Sequence, residues 1–229
     1  MYKFEMHLHT SACSGCAHFT IEENIDYCKG LGYVGFVVTN HFYHGNSCVD
    51  RSLSNRDFIK AYADDYYNGL EYGKSKEFTV LFGIEEVYEP GKEMLIYGIE
   101  PEVFLDNPDF VDMSGKEKSD FVRSKGGICV CAHPFRDREY IPQPNKIPDL
   151  SMFDGIEVYN NANNSEENVK AFLLAANNPE KIITSAGDVH YFEQINNTGM
   201  LFFEKINNNK DLIKQLKSGS YKLLSPHNI

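Results

Sequence analysis

Short apolar runs alternate along this chain with longer amphipathic stretches. The apolar runs predict β-strands at residues 3–9, 34–39, 78–84, 94–99, 127–132, 154–159, 181–186 and 199–204. The stretches between them predict helices at about 20–31, 55–75, 114–125, 163–176 and 208–218. Strands that alternate with helices favour parallel pairing through right-handed crossovers. We therefore expect an α/β fold, in a single domain over residues 1–229.

Side chains that can bind metal stand at the ends of several predicted strands. His7 and His9 are two residues apart in the first strand, so both point to the same face and can reach one ion. Later apolar runs also end in a histidine or carboxylate, at His41, Glu85, His133, Asp188 and His190. In a parallel α/β barrel the carboxyl ends of the strands meet at one rim. A metal cluster at that rim explains all of these positions together.

The mixture of imidazole and carboxylate favours zinc, manganese or iron over calcium and magnesium. One carboxylate can bridge two ions about 3.5–4 Å apart, and Glu85 is the candidate for this role. His7 and His9 would then bind one ion with Asp188, while His133 would help to bind the second. A single histidine at a strand end is more often structural, so the prediction depends on the joint pattern.

The motifs occur in an order that resembles the PHP (polymerase and histidinol phosphatase) family of metal-dependent phosphoesterases. The resemblance runs from residue 1 to about 205 and lies in His7-Leu8-His9-Thr10, Thr39-Asn40-His41, Gly83-Ile84-Glu85, Ala132-His133-Pro134, Gly155-Ile156-Glu157-Val158 and Asp188-Val189-His190. It implies a distorted (β/α) barrel of seven parallel strands with two or three divalent ions at its rim. The metal ligands that it implies are His7, His9, His41, Glu85, His133, Asp188 and His190.

The chain departs from this pattern at three places. Many members have an acidic residue or histidine shortly after the first motif, where this chain has Cys13-Ser14-Gly15-Cys16. The second motif usually is Asp-His, but here it is Asn40-His41. A histidine on the fourth strand of many members corresponds here to Met94 or a neighbour.

These departures remove expected ligands of the second and third ions. The third ion would then have only His41 and His190, so we expect two ions rather than three. His18 could replace a missing ligand, although its loop position favours a surface role. One C-x-x-C pair is a weak redox or zinc signal, so Cys13 to Cys16 is interpreted as a loop of small residues beside the site. Glu157 either orients a ligand or makes a buried structural contact.

The resemblance implies hydrolysis of a phosphate ester on a small phosphorylated metabolite or nucleotide. Metal coordination lowers the pKa of water from 15.7 to about 7, so we expect a metal-bound hydroxide to attack phosphorus in line. Glu85, Asp188 and His190 are the expected catalytic residues, and His190 or His41 could protonate the leaving alkoxide.

An arginine in the loop at 134–152, beside the expected centre, is the candidate for binding the phosphate. Arg136 offers a bidentate fork, and a solvated loop arginine is an equal alternative. Arg138 and His44 are weaker candidates for the same pocket.

Charge and composition narrow the function further. A net charge of −11 disfavours binding to a nucleic-acid backbone. The six cysteines, without a secretory leader, are typical of reduced thiols in a cytoplasmic protein, and no apolar run is long enough to span a bilayer. Oligomeric state is left open by the sequence.

Two other functions remain. One is an amidohydrolase-like metal hydrolase, which shares the His-x-His start but usually carries a bridging lysine on its fourth strand. Here that strand has only Lys92, at its entrance. The other is a non-catalytic metal-binding regulatory domain.

Overall fold

The computed structural model describes residues 1–226 and confirms the α/β fold. The strands are β1 (Tyr2–Leu8), β2 (Gly35–Val38), β3 (Thr79–Glu89), β4 (Lys92–Tyr97), β5 (Ile128–Cys131), β6 (Gly155–Asn160), β7 (Ile182–Ala186), β8 (Gly199–Phe202) and β9 (Tyr221–Leu224). The α-helices are α1 (Ile21–Gly30), α2 (Asn55–Ser75), α3 (Pro101–Asp106), α4 (Gly115–Ser124), α5 (Ser165–Ala176) and α6 (Asn209–Ser218). Every predicted strand and helix is present, and β9 and α3 are additional.

The strands form one sheet that is nearly closed into a barrel. Their order is β7-β6-β5-β4-β3-β2-β1-β8-β9. A parallel bridge between Leu8 and Val189 joins the end of β1 to the segment after β7. There, His9 N donates to Val189 O at 3.0 Å and Val189 N donates to His7 O at 3.0 Å. The sheet therefore closes at the two segments that carry the first and last histidine motifs.

The barrel-like α/β fold is confirmed, but the number and direction of its strands differ from the implied seven parallel strands. The sheet has nine strands, and β4 pairs antiparallel with both β3 and β5, as β8 does with β1 and β9. Only Pro90 and Gly91 separate β3 from β4, and Gly91 has a φ of 72°. A two-residue connection can only reverse the chain, because parallel strands need a long crossover.

Local sequence signals fix where the helices begin. Thr20 Oγ1 accepts a hydrogen bond from Glu23 N, while the Glu23 carboxylate accepts one from Thr20 N at 2.8 Å, which confirms the predicted capping box of α1. Asn164 and Glu167 form the same reciprocal pair at the start of α5.

Strand alternation places the two faces of β2 in different clusters of the hydrophobic core. Phe36 and Val38 of β2 pack in a cluster that includes Phe58 of α2, whereas Val37 packs in a second cluster with Leu212 of α6. Within residues 1–226, no helix is both long and apolar enough to cross a membrane.

Candidate metal centre

The seven predicted ligands lie together at one end of the sheet. His7 lies in β1 and Glu85 in β3, and the other five follow directly or closely after strand ends. All except His190 are buried, and the His190 side chain is 15% exposed. The structure thus gathers residues from five separate segments around one point.

Glu85 lies at the middle of the cluster. Its Oε1 is 3.1 Å from His7 Nε2 and 3.0 Å from His133 Nε2. Its Oε2 is 2.8 Å from His41 Nδ1 and 3.4 Å from His9 Nε2. Burial alone would raise the pKa of Glu85, but the charges of His7 and His41 hold it well below its usual range. The carboxylate therefore faces histidines from both of its oxygens.

Asp188 faces two of these histidines, His7 and His9, and also His190. Its Oδ1 lies 3.3 Å from His9 Nε2 and 3.4 Å from both His7 Nε2 and His190 Nδ1. The residue has a φ of 53°, and His133 has a φ of 25°, so both adopt conformations that residues other than glycine rarely use. Such strained residues concentrate at functional sites, where the surrounding structure enforces them.

Several polar atoms of the cluster have no hydrogen-bond partner although they are buried. They are His7 Nε2, His9 Nε2, His41 Nδ1, Glu85 Oε2 and Asp188 Oδ1. Each such atom costs about 1–3 kcal/mol when it is left unsatisfied. Four groups of these side chains and their neighbours place three ligand atoms within 4.8 Å of one another. The donor set therefore fits divalent ions, which would satisfy all of these atoms together.

Glu93 is a member of the cluster that the sequence analysis missed. Met94, one of the positions that correspond to the fourth-strand histidine of many family members, is fully buried among apolar residues. The preceding Glu93 instead places Oε1 3.4 Å from His41 Nδ1 and Oε2 3.5 Å from His133 Nε2. Alternation along β4 gives the reason, because neighbours in a strand point to opposite faces. The expected gap beside His133 is thus filled by a carboxylate.

Cys16 is a second residue beside the cluster that the sequence did not reveal. It lines the cavity together with His41 and His190. Burial would raise the pKa of this thiol, but the influence of the His190 and His41 imidazoles outweighs burial and lowers the pKa to about 6. The loop from Cys13 to Cys16 therefore contributes a thiol to the wall of the cavity, in addition to small residues. A single C-x-x-C pair was too weak a signal to predict this.

Ser14 and Asn40 make hydrogen bonds that hold His9 and His41 in position. Ser14 Oγ lies 3.1 Å from His9 Nδ1, donates to Asn40 Oδ1 at 2.9 Å and accepts from His41 N at 3.0 Å. Asn40 Nδ2 donates to the buried Asp65 Oδ2 at 3.1 Å. An aspartate at position 40 would set two carboxylates against each other, which explains the departure from Asp-His.

Glu157 contacts two of the candidate ligands directly. Its Oε1 lies 2.9 Å from His7 Nδ1. Its Oε2 accepts from His133 N and from Asn160 Nδ2, both at 2.9 Å. A carboxylate on Nδ1 leaves Nε2 of His7 free to bind metal. Of the two alternatives for Glu157, the structure supports the one in which it orients a ligand.

Arg136 is buried at the edge of the cluster, so a solvated loop arginine is excluded. It forms an ion pair with Asp188 Oδ2, and its Nε and Nη2 donate to Asn163 and Asn160 at 2.9 and 3.1 Å. Arg138 instead pairs with Glu167 at 2.7 Å, away from the cluster.

The two remaining histidine candidates lie outside the cluster. His44 Nδ1 is 2.5 Å from the buried carboxylate of Glu86, which in turn accepts from Lys118 at 2.7 Å. His18 is exposed and stacks on Tyr191 with ring centroids 4.4 Å apart. The surface role favoured for His18 agrees with this position.

An open cavity of about 610 Å³ lies against the cluster. Its walls include Cys16, His41, Glu93, Arg136 and His190, together with His44 and Tyr140. Pockets of this size hold small molecules. The cluster is therefore accessible to a ligand of metabolite size.

Solved structures share this fold. A two-domain protein of Bacteroides vulgatus that contains a predicted PHP-like metal-dependent phosphoesterase matches with a TM-score of 0.72 at 14% identity, over 97% of this chain and 64% of that one. The chain has a PHP-like fold. It spans about two thirds of that protein.

Two further structures are more distant. A candidate metal-dependent phosphoesterase of Bifidobacterium adolescentis matches with a TM-score of 0.60 at 14% identity, over 93% of this chain and 95% of that one. An amidohydrolase of Chromobacterium violaceum, with bound sulfate and no metal, matches with a TM-score of 0.51 at 16% identity, over 82% and 87%. No family model and no curated protein matches the chain. At these identities the likeness establishes the fold only.

Proposed function

We propose that this protein hydrolyses a phosphate ester of a small phosphorylated metabolite or nucleotide with the help of bound divalent ions. The position of Glu85 carries the proposal, since its two oxygens face four histidines within 3.4 Å. The likeness to proteins described as metal-dependent phosphoesterases agrees with it.

The geometry suggests how the ligands divide. His7, His9 and Asp188 would hold one ion, and His133 and Glu93 a second, with Glu85 between the two. His41 and His190 would contribute to a third. Divalent ions at such a centre act as Lewis acids and lower the pKa of bound water to about 7.

Arg136 is the proposed phosphate-binding residue. Its Nε and Nη2 contact Asn163, Asn160 and Asp188, which fixes the plane of the guanidinium at the cavity wall. A fixed guanidinium loses little side-chain entropy when it binds an anion. Charge-assisted bonds from it to phosphate oxygens would orient the ester for in-line attack.

The amidohydrolase alternative lacks its usual bridging group here. Lys92 Nζ donates to the carbonyl oxygens of Pro134 and Pro144, at 2.8 and 2.9 Å, and so ties down a loop. The central position is taken by the Glu85 carboxylate. This arrangement favours phosphate esters over amides and lactones as substrates.

The decisive experiment is a metal-dependent turnover screen. Purified protein loaded with Mn²⁺, Zn²⁺ or Fe²⁺ is assayed on p-nitrophenyl phosphate and a panel of phosphorylated metabolites, with amides and lactones in parallel. We expect phosphate release that is lost in His9→Ala and Asp188→Ala, together with bound metal, while both variants stay folded. Unchanged turnover in both variants would refute the proposal, as would turnover of amides or lactones alone. Bound metal without any turnover would indicate a regulatory domain.

A further inference from the structure

A buried ion pair lies behind the wall of the cavity. Lys118 of α4 and Glu86 of β3 have side chains that are 1% and 0% exposed, and Lys118 Nζ lies 2.7 Å from Glu86 Oε1. Glu85 and Glu86 are neighbours in β3 and so point to opposite faces, which directs Glu86 away from the metal centre. The cost of desolvating two charges offsets much of their attraction, so a buried pair adds little to stability. This pair therefore calls for another role.

His44 connects the buried pair to the cavity. Its Nδ1 lies 2.5 Å from Glu86 Oε1, the oxygen that also accepts a hydrogen bond from Lys118 Nζ. The remainder of the ring is open, since the His44 side chain is 46% exposed and lines the cavity. The buried pair therefore fixes an imidazole in the cavity wall by one of its two nitrogens.

The neighbours of His44 determine what its second nitrogen offers. A carboxylate oxygen at 2.5 Å accepts a hydrogen bond, so Nδ1 carries the proton. Lys118 Nζ lies 3.3 Å from the same Nδ1 and already balances the charge of Glu86, which opposes a second positive charge on the ring. A neutral imidazole that donates from Nδ1 has a lone pair on Nε2. The cavity wall therefore presents a hydrogen-bond acceptor at His44.

The phosphate group and the remainder of an ester would contact different parts of this wall. His41 of the metal centre and Arg136, the proposed phosphate-binding residue, line one part. The wall also includes His44, Asn46 and Val87. The cavity of about 610 Å³ is much larger than a phosphate group, so it has room for the leaving group as well. The leaving group of a bound ester can therefore reach His44.

We propose that His44 Nε2 accepts a hydrogen bond from a hydroxyl group of the leaving group, so that the site selects phosphate esters of polyols and sugars over those of plain alcohols. Glu86 and Lys118 are positioning residues that act through His44. The inference rests on the proposed function and names the substrate class of the same site. One neutral hydrogen bond of this kind is expected to favour the hydroxylated ester about threefold to tenfold.

Matched pairs of esters test the subsite. The full chain, loaded with Mn²⁺, is assayed on glycerol 3-phosphate against n-propyl phosphate, and on sorbitol 6-phosphate against n-hexyl phosphate. Within each pair the carbon skeleton is the same and only the hydroxyl groups differ. The quantity measured is the ratio of the two kcat/KM values, which a residue with a purely structural role would not change. The same pairs are also measured by calorimetry as ligands of the metal-loaded protein.

Two substitutions at His44 separate its nitrogens. The amide of His44→Asn reaches the position of Nδ1 and can still donate to Glu86, but it leaves no acceptor at the position of Nε2, so the preference for the hydroxylated ester should be lost. The longer His44→Gln reaches the position of Nε2 with an amide oxygen and should keep part of the preference. His18→Asn is the matched control, because His18 is exposed and stacks on Tyr191, and it should keep the full preference.

A double variant tests the positioning residues. Replacing both members of a buried ion pair by apolar residues of similar size is often neutral for stability. Glu86→Leu combined with Lys118→Met should therefore fold, and it should lose the preference because His44 loses its anchor. This variant also carries the test if His44→Asn fails to fold.

The outcomes separate this inference from the proposed function. Equal kcat/KM values for both members of each pair in the wild type would overturn the inference while phosphate ester hydrolysis stands. A preference that persists in His44→Asn or in the double variant would do the same. Tighter binding of the hydroxylated esters that depends on His44, without any turnover, would keep the inference and remove the proposed function. A protein that neither hydrolyses nor binds these esters would overturn both.

Discussion

Replacing Glu157 by glutamine tests whether a hydrogen bond outside the ligand set controls metal affinity. In the structure Glu157 Oε2 accepts from two N–H donors, on His133 and Asn160, and Oε1 contacts His7 Nδ1. In Glu157→Gln, the amide oxygen should take the place of Oε2, where it can accept from His133 N and Asn160 Nδ2. The NH₂ group then takes the place of Oε1 and faces His7 Nδ1. His7 Nδ1 must then accept a hydrogen bond, which moves the ring proton to Nε2, the nitrogen that faces Glu85. A protonated Nε2 cannot bind a metal.

The expected loss follows from what such contacts contribute. Removing the hydrogen-bond partner of a metal-binding histidine typically costs tenfold to 100-fold in metal affinity. This corresponds to about 1.4–2.7 kcal/mol. The substitution keeps the shape of the side chain, so it creates no cavity, and the metal-free fold should be retained.

Competition with a chelator of known affinity measures the effect. Zinc affinity of Glu157→Gln is compared with that of the wild type and of Glu167→Gln. Glu167 is also buried and accepts backbone N–H bonds, from Asp137 and Asn164, but it contacts none of the candidate ligands. We expect weakened binding in Glu157→Gln alone. Affinity within twofold of the wild type, in a folded Glu157→Gln protein, would refute the reasoning.

Three further outcomes are expected. In a metal titration, Glu93→Gln should bind about one ion per chain fewer than the wild type, because His133 loses a carboxylate neighbour at 3.5 Å. The control Met94→Leu should keep that ion. Equal metal content in the two variants would argue against a ligand role for Glu93. Arg136→Lys should weaken competitive inhibition by inorganic phosphate about tenfold, since lysine offers no bidentate fork. The control Arg138→Lys should leave the inhibition constant unchanged. Equal effects of the two substitutions would exclude Arg136 as the phosphate-binding residue. Burial raises the pKa of Asp65, although its hydrogen bonds oppose the shift. The folded state therefore binds the proton more tightly than the unfolded chain does. The contribution of Asp65 to stability then falls as pH rises from about 3.8 through the folded pKa. Asp65→Asn lacks this loss, so its unfolding free energy from urea titrations should gain on the wild type as pH rises, and a constant difference would contradict the shift.

The positions of most cluster residues followed from the sequence because strand ends are easy to locate. His7, Glu85 and Asp188 each close an apolar run, and parallel neighbours carry such ends to the same edge. Glu93 escaped detection because β4 runs antiparallel, so the part of this strand that reaches the cluster is its beginning. The predicted strands end at residue 84 and begin again at residue 94, whereas β3 continues to Glu89 and β4 begins at Lys92. The short connection that reverses the chain therefore lies within the stretch that the pattern left unassigned.

Cys16 and the additional strand were missed for other reasons. A loop carries no periodicity, so nothing in the sequence states which way the Cys16 side chain points. β9 is a four-residue strand, Tyr221–Leu224, that carries a lysine, and within residues 1–226 its one strand partner is β8. The pairing that stabilises it is not encoded in its own residues.

The bridge between Leu8 and Val189 has a consequence for the order of events during synthesis. It joins segments about 180 positions apart, so the contact cannot form until the chain has been synthesised as far as Val189. A nascent polypeptide that still lacks the stretch around residue 188 presents His7 and His9 to Glu85 but not to Asp188. The complete candidate metal centre is therefore assembled only after almost the whole chain has been made.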